Sequence, residues 1–301
     1  MDIELKMIAL YEQACEIYTR DLWYATERFN SNHLEGEITD QELITIYLFC
    51  LIYEEKTEKK AMWTFISKYW LEWFPDLPSY QTFNNRLNRL ADVFPIWIDH
   101  LCQTASIPSD LLPVFVGDSC PIITCAGNRS GKVARHLTDK TYSPTKKMWY
   151  YGIKLHVLAH KMPAKLPIPQ IIGITKASVH DLTALKPTLE KIKNSAVILD
   201  KAYVDSNLAS EMLGNNSEIV TPIKKVKGIS QIEQHSNQAH DDLFNRAVAK
   251  VRQPIESLFN WINEKTGIQK ASKVRSEKGL LLHVFGKLCA ALLILKQNSY
   301  S

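Results

Sequence analysis

Near the stretch TASIPSDLLP, residues 104–113, the periodicity of this chain changes, and that change bounds what it can fold into. Before it, apolar residues recur at helical spacing. In ITDQELITIYLFCLI, Leu43, Ile46, Tyr47, Cys50 and Leu51 share one face. After it come runs rich in β-branched and aromatic residues: PVFVGDS (113–119), MWYYGIKLHVLAH (148–160) and IPQIIGITKAS (168–178). The prolines and small polar residues of the stretch itself read as a linker. The expectation is an all-helical domain over 1–104, then an α/β domain over 111–301 with a mixed sheet flanked by helices.

Within the first part, Thr39 or Asp40 is an N-cap candidate, followed by acidic residues in the first turn. Ser79 can cap a helix that carries Phe83, Leu87, Leu90 and Phe94 on one face, with Arg86 and Arg89 elsewhere on it. Short helices joined by tight turns fit a helix-turn-helix and fit an ordinary bundle equally well. The domain therefore reads as DNA-binding or as an assembly module. In the second part, PVFVGDS ends at Asp118. The helix HDLTALKPTLEKIKN follows the third strand and is kinked by Pro187. Then come the strand AVILD, the helix SNLASEMLGNN (206–216), the strand EIVTPI (218–223) and a polar loop over 224–242. A helix around 254–265 and an apolar helix, 277–296, close the order.

Composition matters here mainly through charge. Residues 1–110 hold 9 Lys and Arg against 18 Asp and Glu, whereas residues 111–301 hold 27 against 14. A basic two-thirds suggests a polyanionic partner, most simply nucleic acid. No apolar run approaches the roughly 20 residues of a membrane span, and the first residues lack the basic start and apolar block of a signal peptide. The six cysteines form no C-x-x-C and read as free thiols in a reducing compartment. The expected setting is the cytoplasm, with no membrane partner.

Carboxylates at the ends of apolar strands are the pattern that points to chemistry. Asp118 follows VFVG and Asp200 follows AVIL, where a buried acid is costly unless paired, hydrogen-bonded or bound to a metal. Sheet ends are where α/β proteins place ligand sites. Glu256 lies in VRQPIESLFNWINE, where Pro254 suits a first helical residue and would put Glu256 in the first turn. Arg252 shares a side with it only if the helix runs through Pro254. Singly, Asp118 reads as a turn or cap residue, Asp200 as an Asx turn and Glu256 as a helix-dipole partner. Together, three converging acids repel one another, and a divalent cation with oxygen ligands, Mg2+ or Mn2+, resolves that.

The order of short motifs resembles the DDE-type transposases of bacterial insertion sequences. VGDSCPI resembles their first-Asp strand, and KKMWYYGIKLH their K-K-x-x-Y-G-x-K-L-H strand. SVHD resembles N-x-H-D, ILDKAY resembles D-x-G-Y, VRQPIESLFNWI resembles the R-x-x-x-E helix, and KVRSEKGLLLHVFGKLCAALLI resembles the terminal helix. The stretches ITDQELITIYL and PSYQTFNNRLNRL match the amino-terminal region of one branch, so the resemblance covers nearly the whole chain.

It implies an RNase H-like core in which Asp118, Asp200 and Glu256 are catalytic and hold two Mg2+ ions, with Mn2+ a substitute. It implies that Arg252 holds a phosphate or positions Glu256. The chain departs from the pattern at Ala202, where a glycine is expected, at Ala249, where related families have Tyr, and at Asn263, where a Lys is often seen; Tyr203 or Lys265 could take over those phosphate contacts. The implied activity is DNA cleavage at mobile-element ends and strand transfer into target DNA, with double-stranded DNA as partner and a homodimer on it, at the nucleoid of a bacterium. A binding protein that keeps the fold without the chemistry, and a metal-dependent nuclease without strand transfer, are the alternatives.

Other basic positions fit that partner. Arg129, Lys132, Arg135, Lys140, Lys146 and Lys147 form a cationic loop after Asp118, and Lys154 lies in the strand beyond it. KKVKG (224–228) and KASKVRSEKG (270–279) are further backbone clamps. Trp149, Tyr150 and Tyr151 read as strand packing rather than base stacking. His156 and His160 sit four apart in a strand setting, which discounts a helical metal pair. His180 and Asp181 read as a helix-start cap.

Overall fold

The structure is a computed structural model of the 301-residue chain. It describes residues 2–26, 38–105, 113–144, 146–223 and 231–299, with backbone alone over 231–237 and at 299. Most of the expected linker and all of KKVKG lie outside the described residues. By contacts the chain falls into two units: Met1–Thr104 with Ile262–Ser301, and Ala105–Trp261.

The first unit is helical. Helix α1 (Ile3–Ile17) continues through a π turn, Tyr18–Leu22, into α2 (Trp23–Thr26), and is followed by α3 (Asp40–Ile52), α4 (Lys59–Tyr69), α5 (Tyr80–Arg89) and α6 (Val93–Gln103). Thr39 caps α3 in a capping box: its hydroxyl accepts from the Glu42 N–H at 3.2 Å, and Glu42 accepts from the Thr39 N–H at 2.6 Å. Ser79 caps α5 as expected, and Phe83, Leu87, Leu90 and Phe94 are all fully buried. Arg86 serves the bundle rather than a partner, donating to the Ile38 carbonyl at 2.6 Å and to Asp40 at 3.0 Å.

The second unit is built on six strands: β1 (Val114–Ala126), β2 (Asp139–Ser143), β3 (Met148–His160), β4 (Ile168–Lys176), β5 (Ala196–Ile198) and β6 (Glu218–Val220). Their order is β2-β3-β1-β5-β6, with β4 also paired to β3. Strands β1 to β4 pair antiparallel, and β5 and β6 join in parallel, so the sheet is mixed. Helices α7 (Asp181–Leu189) and α8 (Ser206–Gly214) bury Leu185, Leu189, Leu208 and Met212 in one cluster with Leu158, Val197, Leu199 and Tyr203. Helix α9 (Gln231–Thr266) follows.

Three expectations are corrected here. Asp118 does not end its strand; β1 runs on for eight more residues, to Ala126. The run DSCP looks like a strand end, but β5 pairs only with Val114, Phe115 and Val116 of β1. Beyond them β1 pairs with β3 alone, and a strand with one open side accepts a proline such as Pro121. Residues 231–242 are helical rather than loop, and α9 continues through Pro254 instead of starting there. Helix α7 ends two residues after Pro187, at Leu189.

Helices α10 (Glu277–Leu281) and α11 (Lys287–Ser299), joined by a π turn at Leu282–Gly286, complete the first unit. The 111–301 domain expected from the sequence is thus divided, because its last helices pack among the N-terminal ones. The segment Glu277–Asn298 is long and apolar enough to cross a membrane, with mean hydropathy 1.8 in its most apolar window, but 67% of that window is buried in the protein. A helix apolar on all sides is a core helix when other helices surround it. Gly286 makes this fit: a Cβ there would lie 2.6 Å from the Tyr47 ring, whose hydroxyl donates to the Leu282 carbonyl at 3.3 Å.

Candidate active site

The parallel pairing of β1 and β5 matches Val114 with Ala196 and Val116 with Ile198. Continued by two residues, that register sets Asp118 level with Asp200, where β5 has ended and its chain turns into the 3-10 turn Lys201–Tyr203. Successive residues of a strand point to opposite faces. Gly117 faces the Leu158 and Leu199 side chains, which a Cβ there would meet at 2.9 and 2.6 Å. Asp118 faces the other way.

Asp118 is held from two sides. Its Oδ1 accepts from the Ser119 N–H at 2.8 Å, and its Oδ2 accepts from Arg252 Nη1 at 2.8 Å, across 134 residues of sequence. The other arm of Arg252 donates to Glu256 Oε1 one helical turn away. The continuous α9 is what makes this possible, since positions four apart share a helix face. The guanidinium is 16% exposed and Asp118 24%, whereas Glu256 is 51% exposed. Burial pushes the Asp118 carboxyl up to about 6, against the Ser119 N–H and Arg252, which hold it down; Asp200 and Asp181 add repulsion. Burial works to lower the Arg252 pKa, but the charges of Asp118, Glu256 and Asp200 raise it overall. Asp200 itself accepts from the Lys201 N–H at 2.6 Å.

A fourth carboxylate belongs to the group. Asp181 Oδ1 accepts from Ser119 Oγ at 2.9 Å and from Lys154 Nζ at 3.0 Å, and Lys154 also donates to the Val179 carbonyl at 2.9 Å. The sequence placed Lys154 on a phosphate and Asp181 in a cap. In the structure the two form an ion pair next to Asp118, and His180, the N-cap residue of α7, makes no side-chain capping bond. Asp181 follows His180 at a helix start, a pattern that a cap explains too well to draw notice. Tyr203 is buried under the same charges, and its hydroxyl has no hydrogen-bond partner among the described residues. His156 bonds Thr175 at 2.8 Å through Nε2, and burial lowers it to about 4.

The remaining expected residues sort by place. Arg129, Arg135, Lys146 and Lys147 are exposed on the connections flanking β2. Trp149 is 56% exposed rather than packed, with the Lys140 ammonium 5.7 Å from its ring centre; Tyr150 is buried. Lys265 belongs to the helical unit and pairs there with Glu55 at 3.8 Å. The six cysteines form no disulfide among the described residues.

As a set of ligands, Asp118, Asp200 and Glu256 offer only carboxylate oxygens, which suit Mg2+ or Mn2+. Among the described residues, no three of His, Cys, Asp and Glu gather closely enough to hold a metal unaided. The Arg252 fork takes one oxygen each from Asp118 and Glu256, so it occupies the cation's role between them. The donor chemistry of the three carboxylates fits a divalent ion.

Comparison with known proteins gives the family of the chain. The family described as the transposase DDE domain matches residues 123–293, more than half of the chain. Searches of curated proteins and of solved structures each found no match. The matched span takes in Asp181, Asp200, Arg252 and Glu256, and opens five residues after Asp118. The mixed sheet with flanking helices is the RNase H-like arrangement expected of such a core. With more than half of its length matched, the chain belongs to the transposase DDE domain family.

Proposed function

We propose that this transposase cleaves DNA at the ends of its own mobile element and joins the freed 3′-hydroxyl to target DNA. The observation that supports the reading is the Arg252 fork, which links Asp118 of β1 to Glu256 of α9 while Asp200 lies level with Asp118. Three acids and one cation drawn from separate elements make a cluster that a purely structural role does not require.

Asp118, Asp200 and Glu256 are the residues that would hold two Mg2+ ions, with Mn2+ as a substitute. Bound there, such ions activate an attacking oxygen and stabilise the leaving oxygen of a phosphodiester. The chain's own groups do the rest. The Ser119 N–H fixes the orientation of Asp118. Lys154 pairs with Asp181 and offsets part of the repulsion that Asp181 exerts on Asp118. Arg252 would offer the two arms of its planar fork to a phosphate if the carboxylates held a metal. Arg129, Arg135, Lys146 and Lys147 are placed to neutralise the backbone of double-stranded DNA. The nucleophile is water in cutting and a 3′-hydroxyl in joining, so no covalent enzyme intermediate is needed. Synapsis of two ends calls for a homodimer on DNA, acting in the bacterial cytoplasm at the nucleoid.

One observation favours a binding-only reading: Arg252 already satisfies two of the acids without a metal. Labelled DNA from the flanks of the gene, incubated with Mg2+ and a target plasmid, separates the readings. A joined product supports transposition; cut but unjoined DNA reduces the activity to a nuclease; bound, uncut DNA leaves a binding protein.

A further inference from the structure

The helical unit holds a cleft of about 810 Å3 whose walls come from both ends of the chain. Its cations are Lys59 and Lys60 at the start of α4, Lys270, Lys273 and Arg275 between α9 and α10, and Lys287 at the start of α11. Glu58 is the one acid among the described residues that line it, and Lys273 already pairs with it at 2.5 Å. The rest of the lining includes the neutral polar groups of Asn84, Asn88 and Ser272. The N-terminal segment is acidic as a whole, but residues 262–301 bring seven Lys and Arg against two acids.

Lys287 is buried and Lys59 half-buried, and the charge of Glu58 offsets only part of the cost of burial at Lys287. Lys287 is 4% exposed, and its ammonium reaches only the Gly267 carbonyl, at 3.4 Å. Lys59 donates to the neutral Asn88 Oδ1 at 2.7 Å. Neither forms an ion pair among the described residues, and burial lowers both ammonium groups to about 8. An ammonium taken out of water without an anion is costly, and a ligand that supplies the anion recovers that cost. Lys60 is steadied over the Trp63 and Tyr80 rings, 4.5 and 4.6 Å from their centres. Ammonium, amide and hydroxyl groups line this cleft together with apolar side chains such as Val274 and Leu282. Six cations against one acid suit a polyanion such as a phosphate backbone.

We propose that this cleft seats the sugar-phosphate backbone of DNA, as a contact surface in the helical unit additional to the carboxylate site. The choice of DNA as occupant rests on the transposase reading. The test uses the full chain carrying Asp200→Asn, so that DNA stays uncut, and a short labelled duplex titrated over a series of salt concentrations. Lys60→Glu with Lys270→Glu, both exposed, should weaken binding about tenfold or more and lower the salt slope by about 2. Lys6→Glu with Lys68→Glu changes the net charge equally away from the cleft and should weaken binding less than about threefold. Thermal melts check that both pairs fold. Equal losses in the two pairs, or no loss in the first, would overturn the proposal. So would displacement of the duplex by pyrophosphate at matched ionic strength, which would make the ligand a small phosphate. Cleavage by the wild type is scored separately. Cleft-dependent binding with no cleavage overturns the transposase reading alone, and cleavage with cleft-independent binding overturns the cleft alone.

Discussion

Arg252 shows how one side chain can hold a site together before its substrate arrives. It gives one arm to the half-buried Asp118 and the other to the exposed Glu256. Hydrogen bonds to charged groups contribute about 1.5–3 kcal/mol, and removing one partner strands the other. Arg252→Gln should therefore destabilise the metal-free protein by about 1–3 kcal/mol in urea unfolding, and Arg252→Lys, which keeps the charge but lacks the planar fork, should recover only part of it. An unchanged midpoint would mean that the fork carries no stability. Glycine is decisive at one position in the sheet. Gly152 lies opposite the irregularity between Ile123 and Cys125 in β1, and a Cβ there would lie 2.0 Å from the Ile122 carbonyl oxygen. Backbone cannot yield as a side-chain end can, so Gly152→Ala should cost about 3 kcal/mol or more. Gly173 has nothing within 4 Å of a Cβ, and Gly173→Ala should be neutral within about 0.5 kcal/mol.

Elements were legible where local chemistry decides them. Thr39 and Glu42 announce the start of α3 with the spacing of a capping box, and the structure contains both of its bonds. Thr39→Ala should cost about 1 kcal/mol, read as a shift in the urea midpoint at unchanged slope; no shift would mean that packing alone fixes that helix start. Strand β3 was legible from end to end because its residues are β-branched, aromatic and mostly buried. Helix α9 was not. From Gln238 to Arg246 it is largely exposed, so its residues carry no apolar stripe to read. Pro254 then looked like a first helical residue, although it lies inside the helix. That error hid the Arg252–Glu256 pairing, which depends on an unbroken turn. Asp118 and Asp200 were legible as acids after apolar runs. Asp181 was not, because its role rests on Ser119 and Lys154, distant in sequence and joined to it only through the sheet.

At the scale of the whole molecule, pH acts on both units through buried histidines. Burial lowers His156 to about 4 in the sheet unit and His283 to about 3 in the helical unit, from an ordinary 6.5. Between those values and 6.5 the unfolded chain binds protons that the folded chain does not, so stability falls as pH drops through that window. From pH 7 to pH 5 each histidine should remove roughly 1–2 kcal/mol. Asp118 works the other way, because its folded carboxyl, raised to about 6, takes up a proton before the unfolded one does. Two histidines outweigh one carboxyl, so the urea midpoint should fall from pH 7 to pH 5, and fall less in the His156→Gln, His283→Gln double variant. Equal falls in the two proteins would place the acid sensitivity elsewhere.

The division of the chain was hidden for a related reason. Sequence order suggests that the last helices belong with the sheet they come after, whereas the terminal helix is apolar around its girth and is buried among the N-terminal helices. All the acids of the candidate site lie in the other unit, within residues 105–261. The central claim is that those acids hold divalent ions that cut DNA. It is tested most directly by Mg2+-dependent nicking of DNA from the flanks of the gene, with the wild type beside Asp118→Asn, Asp200→Asn and Glu256→Gln. The account predicts that the wild type cuts, that chelation stops it, and that each variant loses on the order of 10^3-fold in rate while still binding DNA. A variant that cuts at the wild-type rate, or cutting that survives chelation, would contradict it.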